Sequence, residues 1–192
     1  QLEFANFGTA VLVENNLLYD NTNLAILIQR GAGHVIVSNT IVHAVGSAVR
    51  IENAAESKVV NNILSIASGI GLEIVGTSQN SFTSDYNLFH LPIPTTGSIG
   101  SWGGTTQADL SAWRSATGND AASVLGDPAF VDVDGADNVL GGLGTVDGGG
   151  ADDNFSLASH STAIDRANAY VAPLRDHLGQ RRTDDPSTPN QG

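Results

Sequence analysis

Between positions 10 and 91 the sequence repeats itself about every 23 residues. A fixed period of this length marks a stacked repeat architecture and constrains the fold more than any local feature. One column reads Val13-x-Asn15-Asn16-Leu17, Val37-x-Asn39-Thr40-Ile41 and Val59-x-Asn61-Asn62-Ile63, with Asp85-Tyr86-Asn87-Leu88 as a weaker fourth copy. From Asn15 to Asn39, Asn61 and Asp85 the steps are 24, 22 and 24 residues. A second column, Ile26-x-Ile28, Val49-x-Ile51 and Leu72-x-Ile74, steps by 23 and 23.

Each repeat holds two short patches with period-2 alternation and no helical stripe. Gly, Ser and Asn separate the patches. Such strands stack into parallel sheets at about 4.8 Å per coil, with Leu, Ile and Val pointing inward as continuous columns. The recurring Asn suits a corner, because Asn tolerates a left-handed backbone, and stacked Asn side chains form a hydrogen-bonded ladder. The leucine-rich signature is missing, and the gaps are too rich in Gly, Ser and Asn for the helices of a doubly wound fold. The reading is all-β: three full coils and a partial fourth of a right-handed parallel β-helix.

The segment resembles the parallel β-helix repeat family that includes pectate-lyase-like proteins. Residues 106–132, TQADLSAWRSATGNDAASVLGDPAFVD, resemble a C-terminal segment of secreted bacterial β-helix proteins: a short helix, then Gly-x-Asp-x-x-Ser, then Asp-Pro-x-Phe-Val-Asp. Residues 152–165, DDNFSLASHSTAID, resemble the same family's Asp-x-Phe-x-Leu…Ser-Pro-Ala-Ile-Asp, with Thr162 in place of Pro. Asp176–Arg182, DHLGQRR, resembles the Asp-x-x-Gly-x-x-Arg that follows. The resemblance implies architecture more than activity, because one fold hosts many functions. It also implies that Asp165, Asp176, Gly179 and Arg182 stabilise the terminal segment. Asp165 is expected to accept backbone hydrogen bonds, and Arg181 or Arg182 to pair with a carboxylate of that segment.

The chain divides accordingly into coils over 1–91, a loop and short helix over 92–126, and an Asp/Gly-rich segment over 127–192 packed on the coils. The helix is expected at about 107–117, capped by Thr106 or Asp109 and stopped by Gly118, with Leu110 and Trp113 facing the core. Phe130, Val131, Phe155, Leu157 and Ile164 are apolar pegs for the irregular segment, and the tail 183–192 reads as flexible.

Composition narrows the function. Net charge is -12, which argues against a nucleic-acid partner. With no Cys, disulfides and thiol chemistry are excluded, and no apolar run approaches membrane-spanning length. The absence of Met and the start at Gln1 read as a processed or excised piece. All five Glu precede residue 100 and 13 of 15 Asp follow it, so the second half reads as loops rich in oxygen ligands. A single Lys among abundant Asp, Asn, Gly, Ser and Thr fits an extracellular or cell-surface protein.

Three sets of residues are candidate sites. If the second column points inward, Leu27, Arg50 and Glu73 form one outward file and Gln29, Glu52 and Val75 the next. Arg50, Glu52 and Glu73 then share a flat face. The resemblance implies Ca²⁺-binding carboxylates and a base on such a face, acting on a uronate; the structural alternative is a surface ion pair. Lys58 falls on the other patch. Asp132, Asp134, Asp137, Asp147, Asp152 and Asp153 crowd Gly-rich chain, a composition suited to a structural Ca²⁺ site or to Asx turns, although the EF-hand spacing fails. The five His have no zinc spacing, and His43, in a column with Tyr19 and Ser65, reads as a stacked surface position. A Ser/His/Asp triad drawn from so many Ser and Asp has no spacing to support it.

The expected function is a structural or carbohydrate-engaging segment of a secreted or surface protein, with extracellular polysaccharide as partner. The alternatives are a Ca²⁺-assisted uronate lyase and an adhesin or stalk. An exposed coil end invites end-to-end self-association.

Overall fold

A computed structural model describes residues 1–5, 9–142 and 150–190. Strand β1 (Leu2–Ala5) leads the stack. Coil 1 then contains β2 (Leu12–Glu14), β3 (Leu17–Leu18) and β4 (Leu24–Ala32). Coil 2 repeats this with β5 (Val35–Val37), β6 (Thr40–His43) and β7 (Ser47–Ala55). Coil 3 has β8 (Lys58–Val60), β9 (Ile63–Ile66) and β10 (Gly69–Val75). Coil 4 has β11 (Thr83–Asp85), β12 (Leu88–His90) and β13 (Gly97–Trp102). Like strands pair in parallel, giving sheets β1-β4-β7-β10-β13, β2-β5-β8-β11 and β3-β6-β9-β12. The all-β parallel coil expected from the repeat is therefore present.

Each coil has three strands where the sequence pattern showed two patches. The first patch splits at its Asn pair, because the chain turns a corner there. The residues before the ladder, Asn15, Ser38, Asn61 and Tyr86, all have φ between 55° and 59°. Asn16, Asn39, Asn62 and Asn87 follow and point inward. Leu17 pairs with Thr40, Thr40 with Ile63, and Ile63 with Leu88. The true column is thus 16, 39, 62 and 87, not the 15, 39, 61 and 85 alignment. Asn suits both corner positions, so residue identity could not separate the left-handed one from the buried one.

The inward amides form the expected ladder. Asn16 donates through backbone N and Nδ2 to Asn39 Oδ1 at 3.0 and 2.9 Å. Asn39 repeats both bonds to Asn62 Oδ1, and Asn62 to Asn87 Oδ1, all at 2.9–3.0 Å. Asn39, Asn62 and Asn87 are each 1% exposed, so each satisfied rung removes a desolvation cost of about 1–3 kcal/mol.

The second column was aligned correctly: Ile26 pairs with Val49 and Val49 with Leu72, while Ile28, Ile51 and Ile74 make the next file. All six are fully buried. Each such side chain contributes about 1.5–3 kcal/mol of burial. Gly46 and Gly69, with φ of 93° and 109°, stack at the corner before the long strand, where a Cβ on Gly69 would strike the Gly46 backbone.

The coils extend beyond 91. β13 lies in the long sheet, beside Leu72 and Ile74, and turns back as β14 (Thr105–Gln107). Helix α1 (Leu110–Thr117) is capped by Asp109, whose carboxylate accepts from Ala112 N at 2.8 Å, and ends at Gly118 with φ 71°. Trp113 is fully buried against the Gly100 backbone and Trp102, so both Trp residues close the end of the core. β15 (Val124–Leu125) adds a last strand beside β12. β16 (Phe130–Asp132) and β17 (Asn154–Leu157) then pair as a separate antiparallel ribbon. Of the expected pegs, Phe155 is buried against Tyr19 and Phe130, while Val131 and Leu157 stay exposed. No helix among the described residues is long and apolar enough to cross a membrane.

Candidate functional site

The long sheet brings Arg50, Glu52 and Glu73 together as expected. Arg50 sits between Leu27 and Glu73 in adjacent coils. Its Nη1 donates to Glu73 Oε1 at 2.9 Å, and its Nε lies 3.5 Å from Glu52 Oε2. Glu73 also accepts from Ser47 Oγ at 2.6 Å, and Glu52 from Gln29 Nε2 at 3.5 Å. The cation and both acids are engaged with one another, an arrangement that holds three coils in register across a face. The one cleft beside them that is described, lined by Gln29, Arg30, Glu52 and Asn53, measures about 80 Å³, well below the roughly 300 Å³ at which ligand pockets begin.

The Asp-rich loop spends its carboxylates on backbone N–H groups. Asp152 Oδ2 accepts from Ala136 N at 2.7 Å and wraps Gly135. Asp137 Oδ1 accepts from Val139 N at 2.8 Å, and Asp153 Oδ2 from Gly141 N at 2.9 Å. Asp132 lies in β16 opposite Asn154, and the Asp134 carbonyl accepts from Val139 N. Among the described residues Asp153 Oδ1 is buried without a well-formed hydrogen bond. It lies near Tyr19, whose hydroxyl pKa is raised by burial, then by Asp153 and Asp20. Among the described residues no three Asp, Glu or His side chains gather as metal ligands. Asp147 lies outside the described residues.

The histidines fall differently from the sequence alignment. His43 pairs with Ile66, not Ser65, and is 1% exposed, so it is buried and not a surface residue. His34 is likewise buried, accepting from Val11 N through Nδ1. Ser65 Oγ and His90 Nδ1 lie 3.0 Å apart in one outward column. Asp127 lines the same cleft, but its Oδ1 accepts from Ala129 N at 2.7 Å.

The terminal segment shows a feature the sequence reading missed. The corner Asn residues point outward and clip it to the coils. Asn15 Nδ2 donates to Arg175 O at 2.7 Å, and Arg182 Nη2 donates to Asn15 Oδ1 at 3.0 Å. Asn61 and Asn168 exchange two bonds, at 3.0 and 2.8 Å. Arg182 therefore binds a coil amide, not the expected carboxylate. Asp176 does serve its own turn, accepting from Leu178 N and Gln180 N. Asp165, at φ 55°, makes the tight turn, but among the described residues its Oδ2 is buried without a hydrogen bond.

Along this seam three clefts follow one another. The first, about 370 Å³, is lined by Asn16, Thr40, Phe155, His177 and Arg182. It shares Ser38, Leu157 and Arg182 with a second of about 90 Å³ that adds Arg166 and Tyr86. Tyr86 is shared with a third of about 290 Å³, lined by Lys58, Thr83, Asn119 and Asn168. The seam thus carries Arg182, Arg166 and Lys58, three of the chain's eight Lys and Arg residues, beside the carboxylates of Asp176, Asp85 and Asp120. None of the three forms an ion pair among the described residues. The patterns in the sequence that pointed here were Asp176–Arg182 and the pegs Phe155 and Leu157; the Asn clips of the seam join residues more than 100 positions apart.

A sequence model of the right-handed β-helix region matches residues 4–107. That is more than half of the chain, and it runs from within β1 to the end of β14.

The chain belongs to the right-handed β-helix family.

This β-helix chain matches no curated protein and no solved structure. Its family membership explains the coils, while the seam depends on residues 154–182 as well, outside the matched span.

Proposed function

We propose that this chain is a structural, carbohydrate-engaging β-helix segment of an extracellular or cell-surface protein, and that a polysaccharide lies along the seam between the coils and the terminal segment. The observation that carries this reading is the succession of connected clefts with Arg182, Arg166 and Lys58 spaced along it. An elongated groove suits a polymer. Asn, Ser and Thr offer donors and acceptors to hydroxyls, and the half-buried Tyr86 ring offers an apolar face to a sugar ring. In a chain of net charge -12, three cations without ion-pair partners among the described residues lie along this groove, and the Asp176, Asp85 and Asp120 carboxylates beside them are engaged by protein donors, so a polymer bearing uronate or sulfate groups is favoured here over the rest of the surface.

The reading is tested by affinity electrophoresis through gels containing alginate, pectate, a glycosaminoglycan or a neutral glucan, with Ca²⁺ and with chelator. Retardation by an acidic polymer that is lost in Lys58→Ala and Arg166→Ala supports it. Equal mobility in all gels for the folded chain overturns it. An ultraviolet assay for unsaturated product runs in parallel. Ca²⁺-dependent product formation lost in Arg50→Ala would instead establish a lyase on the long sheet.

A further inference from the structure

The outward face of the β3-β6-β9-β12 sheet carries a polar pair in apolar surroundings. In β9 the side chains of Leu64 and Ile66 are fully buried in the core, so Ser65 between them points outward. It is nevertheless only 7% exposed. Val42 and His90 flank it in the adjacent coils, and the chain from Asp127 to Val133 lies across this file. Between file and chain is a cleft of about 340 Å³, walled by Val42, Pro128, Phe130 and Val133. Small-molecule pockets begin at roughly 300 Å³. The β16–β17 ribbon separates this cleft from the seam, with Phe130 lining one and Phe155 the other.

The buried hydroxyls of Ser57, Ser78, Ser98 and Ser161 each bond a backbone group. Ser65 differs. Among the described residues its Oγ meets only His90 Nδ1, at 3.0 Å, and His90 Nε2 has no hydrogen-bond partner. Nothing therefore holds the imidazole as a catalytic base, which needs a third, orienting group. The pair suits binding instead. Ser65 can donate to Nδ1 and accept from a ligand, or accept from Nδ1–H and donate to one, so it serves a carbonyl or a hydroxyl equally. Asp127 is the one acidic lining residue, and no Lys or Arg lines the cleft, which disfavours an anion. Pro128 and Phe130 offer flat apolar walls to a ring. We propose that this cleft is a binding site, separate from the seam and independent of its reading, for a small uncharged aromatic ligand whose single hydroxyl or carbonyl oxygen bonds to Ser65 Oγ.

Three probes test it. Toluene, p-cresol and p-toluate share a methyl-bearing ring and differ in carrying no polar group, a hydroxyl or a carboxylate. Each is titrated into the full chain, and the methyl signals of Val42, Ala129 and Val133 are followed by nuclear magnetic resonance. The expected result is saturable shifts at these three residues with p-cresol, weaker binding of toluene by a factor of about five or more, the worth of one hydrogen bond, and no saturable shift with p-toluate. Ser65→Ala should remove the advantage of p-cresol over toluene. Val42→Phe, which fills the cleft from the sheet side, should abolish binding of both. Absence of saturable shifts in the folded parent overturns the proposal. So does an advantage of p-cresol that survives in Ser65→Ala, binding that survives in Val42→Phe, or p-toluate binding as tightly as p-cresol.

Discussion

Asn87 Nδ2 lies 3.1 Å from Asp120 Oδ1, so the amide ladder that runs through the coils ends on a carboxylate. Asp120 also accepts from Ser123 Oγ at 2.6 Å and from Trp113 Nε1 at 2.7 Å. A carboxylate is the natural last acceptor, because it has several lone pairs and no hydrogen to place. Asp120 is 1% exposed, and Asp120→Ala would leave two buried donors, Trp113 Nε1 and Ser123 Oγ, without this acceptor, while Asn87 Nδ2 keeps Val59 O and Ser84 Oγ. The expected cost is about 3 kcal/mol or more. Urea unfolding followed by Trp fluorescence measures it, and a loss below about 1 kcal/mol would contradict this role for Asp120.

Neighbouring Asn residues are expected to behave differently. Asn62→Ala removes the acceptor of the Asn39 rung and the donor to Ile36 O and Val60 O, all buried, so a loss of about 3 kcal/mol is expected. Asn61→Gly keeps the left-handed corner and loses only the clip to Asn168. It should cost about 1 kcal/mol or less and speed proteolysis near Asn168. Equal losses in the two variants would refute the division between inward and outward amides.

Arg50→Ala should barely change stability. Its side chain is 32% exposed, its partners Glu52 and Glu73 are 30% and 17% exposed, and such pairs contribute about 1 kcal/mol or less. Most of that contribution should vanish at high salt. Thermal unfolding of the variant at low and high ionic strength checks both points; a large, salt-independent loss would show that the face is more than a stitch between coils.

His43 should make stability fall in mild acid. Burial holds its pKa below the usual 6.5, and backbone contacts from Asn23 and Val45 oppose this more weakly. Its Nδ1 is buried without a well-formed hydrogen bond. The unfolded chain takes up the proton below about pH 6.5 while the folded chain resists it until lower pH. The stabilising contribution is thus complete above that pH and is lost as pH falls through the folded-state value. His43→Gln should flatten the difference in unfolding free energy between pH 7 and pH 5. Parallel slopes for the two proteins would show that His43 does not carry it.

The repeat made the coil legible because buried columns need apolar residues at a fixed step, and Ile26, Val49 and Leu72 obey it. The corner was legible in kind but not in register. Asn serves both the left-handed residue and the ladder, and only the spacing of 16, 39, 62 and 87 separates them. Trp113 was legible as core-facing from the helical spacing with Leu110, but not as the cap of the stack. That role depends on Gly100, a strand residue with no apolar side chain to mark it. The Arg50 face was readable from alternation alone. The seam was not, because Asn15 meets Arg182 and Asn61 meets Asn168 across separations that no local pattern records.

The central claim is that inward side-chain amides hold the coils in register. Hydrogen exchange of the Asn39, Asn62 and Asn87 Nδ2 protons, followed by nuclear magnetic resonance, tests it most directly. The account predicts that all three exchange only with global unfolding, at the rate of the slowest core amides, while Asn61 Nδ2 exchanges faster through local release of the terminal segment. Rapid exchange at Asn39 and Asn62 in a folded chain would show that the ladder opens freely and does not hold the stack.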